Sequence, residues 1–203
     1  MKVLLGILFF VIALPVMADD CLQFKFKPKI TVVQPKVIKN ITQPEQPMDL
    51  WHGNVIATFV DNYDIVTDIK KVDNGYCIVL KNVNATVGYK DFLVNIDIRH
   101  TLDSCPYNAV LKHEEMHINA YLSVINDFMG DLKQSVFSAA DSVMPVFVKN
   151  KDDIDTAIDM MNSELQAHPE VVLVKQKIKA AEEIRNKKID QNNDGADLKK
   201  CFL

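Results

Sequence analysis

The chain has 203 residues, with 23 Lys+Arg against 27 Asp+Glu, for a formal charge of -4. A charged fraction of 25% and a mean hydropathy of zero exclude a disordered or fibrous chain. The length favours one domain with its own core, and a pI near 5.7 argues against a nucleic-acid binder held by bulk charge.

Residues 1–18 read as a secretory signal. Lys2 supplies the positive start, and Val3 to Leu14 is an apolar run broken only by Gly6. Pro15-Val16-Met17-Ala18 offers small residues where a signal peptidase cuts. The run is shorter than the roughly 20 residues a membrane span needs. Cleavage near Ala18 would leave a secreted or periplasmic chain with no stable membrane span. All four cysteines (Cys21, Cys77, Cys105, Cys201) lie after that point. An even count in an exported protein implies two disulfides. Three pairings are open; the one expected here is Cys77–Cys105 with Cys21–Cys201, the second tying the two ends together.

The front half reads as β. Leu22, Phe24 and Phe26 alternate with polar residues, a period of two. Pro28, Pro35, Pro44 and Pro47 then punctuate a segment to Met48, which together with that strand forms an N-terminal extension over 19–48. Gln34 to Met48 is expected as a loop or linker. The domain proper is placed at 49–203. Val55 to Val60 and Tyr76 to Leu80 read as strands around a turn at Asn74-Gly75. Phe92, Val94, Ile96 and Ile98 alternate with Leu93, Asn95, Asp97 and Arg99, which predicts the clearest strand.

The back half reads as α. Asp103 or Ser104 can cap a helix with Pro106 in its first turn, expected to end near Met129 at Gly130. Further helices are expected over Leu132 to Met144, Asp152 to Gln166 and Pro169 to Ile189. Strands first and helices afterwards predict an α+β fold.

The first long helix carries His113-Glu114-Glu115-Met116-His117, an H-E-x-x-H match. Residues four apart lie on one helix face, so both imidazoles can point at one metal ion. Glu114 projects near that face and can act as a general base. Tyr107, Val110, Leu111, Glu114, His117, Tyr121, Val124, Ile125 and Phe128 follow helical spacing, which sets Glu114 and His117 on the apolar stripe. A carboxylate buried without a partner costs several kcal/mol, and a nearby metal relieves that cost.

A strand, a short turn and a helix with H-E-x-x-H resemble the zincin metalloproteases, where an edge strand beside the helix binds extended peptide. Cys105 through His117 is also similar to a group of exported bacterial proteins predicted to be zinc proteases. Arg185-Asn186 followed by Ile189-Asp190 is similar to a tail segment of that group. The likeness covers about residues 75 to 201. The metzincin extension would need Gly at position 120 and His at position 123, and this chain has Ala120 and Ser123. The resemblance implies Zn2+ held by His113, His117 and a third ligand, with hydrolysis of a peptide or protein substrate through a metal-bound water and Glu114 as general base. Glu164, His168 and Asp190 are the candidates for the third ligand, ahead of His100 and His52. His100 or Tyr121 is a candidate to stabilise an oxyanion.

Asp190-Gln191-Asn192-Asn193-Asp194-Gly195 matches the first half of a calcium loop, but its twelfth position is Cys201 rather than a bidentate Glu. Ca2+ there competes with Asp190 as a zinc ligand. The mixed charges of Lys175 to Lys188 read as a solvated helix face, with no nucleic-acid role. The reading is an exported zinc metallopeptidase. The alternative is a non-catalytic secreted or periplasmic binding or assembly protein with a structural or vestigial metal site.

Overall fold

The computed structural model describes residues 19–48, 52–192 and 196–202, so the expected signal lies outside the described residues. Chain order runs α1 (Asp19–Leu22), β1 (Lys29–Val33), β2 (Ile38–Thr42), β3 (Gly53–Val72), β4 (Gly75–Ile96), α2 (Cys105–Ser142), β5 (Val146–Val148), α3 (Ile154–Ala167), α4 (Pro169–Asn192) and α5 (Ala196–Lys199). This is a mixed α+β architecture with a sheet first and helices after it.

The sheet is organised around β4. β3 folds back on it as a long hairpin, from Val72 opposite Gly75 to Gly53 opposite Ile96. The two-residue loop is Asp73-Asn74, so Gly75 begins the strand rather than sitting in the turn. The other edge of β4 takes three short strands end to end. β5 pairs antiparallel at 76–78, β1 parallel at 82–86, and β2 parallel at 91–95.

β4 explains why only part of its length alternates legibly. Its pairing with β3 slips at Lys81 and at Lys90, each an extra residue on β4. A β-bulge shifts the alternation by one. Ile78 and Leu80 are buried before the first slip; Val83, Ala85, Val87 and Tyr89 between the two; Phe92, Val94 and Ile96 after the second. The two bulges thus keep one face on the core through 22 residues. That face packs on α2, where Val110, Ile118, Val124, Ile125, Leu132 and Val136 are buried in the same cluster.

Four expectations are corrected. The first concerns Leu22 to Phe26, which is not a strand. The backbone turns there, with Phe24 N donating to Cys21 O and Lys25 N to Leu22 O, and Leu22 and Phe26 are exposed. The alternation has no face to bury. The extension instead enters the sheet as β1 and β2, the latter inside the segment expected as a loop.

The second concerns the strand ending near Arg99. It is not an edge, because β2 and β3 flank it on both sides. It also ends at Ile96.

The third concerns Gly130, which does not end the helix. α2 runs 38 residues, about 57 Å at 1.5 Å per residue, and stops at Val143 before Pro145. A glycine inside a helix costs about 1 kcal/mol. Burial of Leu132 and Val136, two and six residues further along the helix and each worth about 1.5–3 kcal/mol, outweighs it.

The fourth concerns the disulfides, which are Cys21–Cys77 and Cys105–Cys201. Cys77 and Ile96 stand at opposite ends of β4, about 60 Å apart at 3.3 Å per residue. The short stretch from Ile96 to Cys105 cannot bridge that distance, and bonded cysteines need Cα atoms within about 7 Å.

The turn between β4 and α2 is built on Asp97, whose side chain is 0% exposed. Its carboxylate accepts from Arg99 N at 2.8 Å, Arg99 Nε at 2.9 Å, Arg99 Nη2 at 2.7 Å and Met48 N at 2.8 Å. The Arg99 guanidinium, aided by these backbone N–H groups, holds the carboxyl well below the usual carboxylate range. A depressed folded value means the stabilisation is full above the unfolded pKa, near 4, and is lost as pH falls below it. Asp97→Asn should therefore cost about 1–3 kcal/mol at pH 7. The gap between variant and wild type should narrow by pH 3, as read by urea melts at the two pH values.

Candidate metal centre

α2 is capped by Ser104, whose Oγ accepts from Tyr107 N at 3.3 Å, with Pro106 in the first turn. This start sets His113, His117 and Tyr121 on one face at successive turns. α4 runs antiparallel beside it and presents Asp190, Asn186 and Glu182, again at successive turns. Arg185 fastens the two helices, Nη1 to Ser123 Oγ at 2.8 Å and Nη2 to Asp127 Oδ2 at 2.5 Å. At the far end, Lys112 Nζ meets Asp197 Oδ2 at 3.1 Å, and Cys105 is bonded to Cys201.

The facing helices bring His113, His117 and Asp190 together as a group able to hold a metal ion. The two Nε2 atoms are 3.1 Å apart. Asp190 Oδ1 lies 3.0 Å from His117 Nε2 and 3.4 Å from His113 Nε2. Ligands on an ion at about 2.0–2.1 Å stand about 2.8–3.0 Å apart at right angles and about 3.3–3.4 Å apart at tetrahedral angles. The triangle already has that size. His117 Nδ1 donates to Asn186 Oδ1 at 2.8 Å, which leaves its Nε2 lone pair turned to the group. Such an outer partner fixes both tautomer and ring orientation.

Glu114 is buried beside this group, 5% exposed. Burial pushes its carboxyl up to about 7, with His117 opposing and Asp190 adding. Burial and the neighbouring His117 push the His113 imidazole below its ordinary value, which favours the neutral form that ligates. Gly53, at the start of β3, makes room for the carboxylate. A methyl there would lie 2.5 Å from Val110 Cγ1 and 3.0 Å from Glu114 Oε1.

Of the three candidates for the third ligand, Asp190 joins the histidines. Glu164 stands on α3 and His168 follows its last turn, and neither enters the group. His52 and His100 pair with each other instead. Tyr121 lies one turn beyond His117, packed on Tyr89 with ring centroids 4.9 Å apart. Burial raises its hydroxyl pKa, so it stays protonated. Asp190 to Asn192 of the expected calcium loop belong to the last turn of α4, and 193–195 lie outside the described residues. Asn186 had no assigned role in the sequence. Its signal is the position four before Asp190 on the same helix.

Compared with known protein families, curated proteins and solved structures, the chain matches none. Among the described residues no helix is long and apolar enough to cross a membrane.

Proposed function

We propose that the protein is an exported zinc-dependent peptidase that hydrolyses a peptide or protein substrate. The observation that carries this reading is the triangle of His113, His117 and Asp190 beside the buried carboxyl of Glu114. Two imidazoles and one carboxylate are a donor set suited to zinc, and three protein ligands leave a fourth position for water or substrate. When bound there, zinc supplies Lewis acidity to a carbonyl and lowers the pKa of a water. Asn186 holds His117 in the ligating tautomer. Glu114, shielded from bulk water, takes a proton from the attacking water and returns it to the leaving amine. Asp190, with its side chain 59% exposed, stands on the side open to solvent. Two disulfides fit export to an oxidising compartment.

The first test is elemental analysis. Protein purified without added metal should carry about one zinc per chain, and His117→Ala should carry less by that one. Zinc at about 100 times its Kd should stabilise the wild type by about 2.7 kcal/mol and His117→Ala by far less. Equal melting temperatures with and without zinc for the wild type would overturn the reading.

A further inference from the structure

We propose that His52 and His100 form a second metal-binding site, for a divalent transition ion that favours imidazole, separate from the centre on α2 and α4. His52 Nδ1 and His100 Nε2 are 3.0 Å apart. That is the separation of two ligands about 2.1 Å from one ion at close to a right angle, and it nearly repeats the 3.1 Å between His113 and His117. The two rings come from chain segments 48 residues apart, just before β3 and just after β4.

Hydrogen bonds tie together the frame that brings them to one another. Asp97 N donates to His52 O at 2.9 Å, and His100 N donates to Asp97 O at 3.0 Å. Gln43 Nε2 donates to His100 O at 2.8 Å and to Asp97 O at 3.3 Å. The Asp97 carboxylate is filled by Arg99 and Met48 N, so it supports the frame and does not ligate. His100 is buried while His52 is exposed. An ion can therefore enter from solvent on the His52 side and complete its coordination there. Burial, with His52 adding, pushes His100 below its ordinary value, towards the neutral ligating form.

The donor set selects the ion. Imidazole suits zinc, copper and nickel, whereas calcium and magnesium need oxygen ligands. With two protein ligands, binding at this pair is weaker than at the three-ligand centre. The competing account of the 3.0 Å contact is a plain hydrogen bond, with one nitrogen keeping its proton.

Zinc titration of metal-stripped protein by calorimetry separates the two accounts. His52 is exposed, so His52→Ala should fold normally. The wild type should take two zinc ions per chain. His52→Ala should keep only the tighter one, and His117→Ala only the weaker one. In the His117→Ala background, zinc should also move the imidazole C–H resonances of His52 and His100. If His52→Ala titrates like the wild type, or zinc moves neither resonance, the pair is a hydrogen bond and the proposal fails. Because the weaker ion is read in His117→Ala, that failure is distinct from failure of the centre on α2 and α4.

Discussion

Glu114→Gln should lower peptide hydrolysis by about 10²- to 10⁴-fold, the usual contribution of a general base, while the protein keeps its zinc. The substitution conserves volume, which matters because the side chain is 5% exposed and Gly53 leaves no spare room beside it. A carboxamide cannot take a proton from water. It can still fill the space under the helix, so His113 and His117 should stay in place. Burial raises the carboxyl to about 7, and a base works best with a pKa near the working pH. Beside a dication the same carboxyl ionises more readily. The measurement is kcat/KM on a peptide library alongside zinc content. Unchanged turnover in a zinc-loaded variant would remove Glu114 as the base. Lost zinc would show that its role is to support the ligands.

Removing the Cys105–Cys201 bond should destabilise the fold by about 2–5 kcal/mol and also weaken zinc binding. The loop it closes spans 96 residues, against 56 for Cys21–Cys77. Chain entropy alone predicts similar losses for the two, about 4–5 kcal/mol each. Their effects on the metal should differ. Cys105 starts the helix that carries both histidines, and Cys201 follows the helix that carries Asp190. The bond and the Lys112–Asp197 pair hold those two ends together. Cys21–Cys77 sits at the opposite end of β4. Zinc titration of the folded double-alanine variants should show weaker binding for Cys105/Cys201 and wild-type binding for Cys21/Cys77. Equal zinc affinity in both would mean that packing and the Arg185 bonds alone position α4 on α2.

Much of this architecture is written in short stretches of chain. Ser104 and Pro106 announce the start of α2. Five residues place two imidazoles on one helix face, because 3.6 residues per turn leaves no other choice. Four cysteines in a chain expected to be exported indicate two disulfides. The order of strands and helices shows an α+β fold. These features depend on contacts within about a dozen residues, where backbone geometry and caps dominate.

What lay beyond that range came from packing. The alternation in β4 breaks at Lys81 and Lys90, since each bulge depends on the partner strand β3. Gly130 looks like a stop signal until Leu132 and Val136 are seen in the core. β2 has five exposed residues, so no hydrophobic pattern marks it; hydrogen bonding to 91–95 makes it a strand. The same limit applies to the candidate metal centre. His113, Glu114 and His117 are legible from the motif, but Asp190 was one of three candidates and Asn186 had no role. Their places follow from α4 lying antiparallel on α2, a pairing of segments about 70 residues apart. Local geometry reaches one helix face. The ligand that completes the group, the cysteine partners and the strand order depend on free energy gained only when distant surfaces meet, and that gain leaves no mark in any short run of residues.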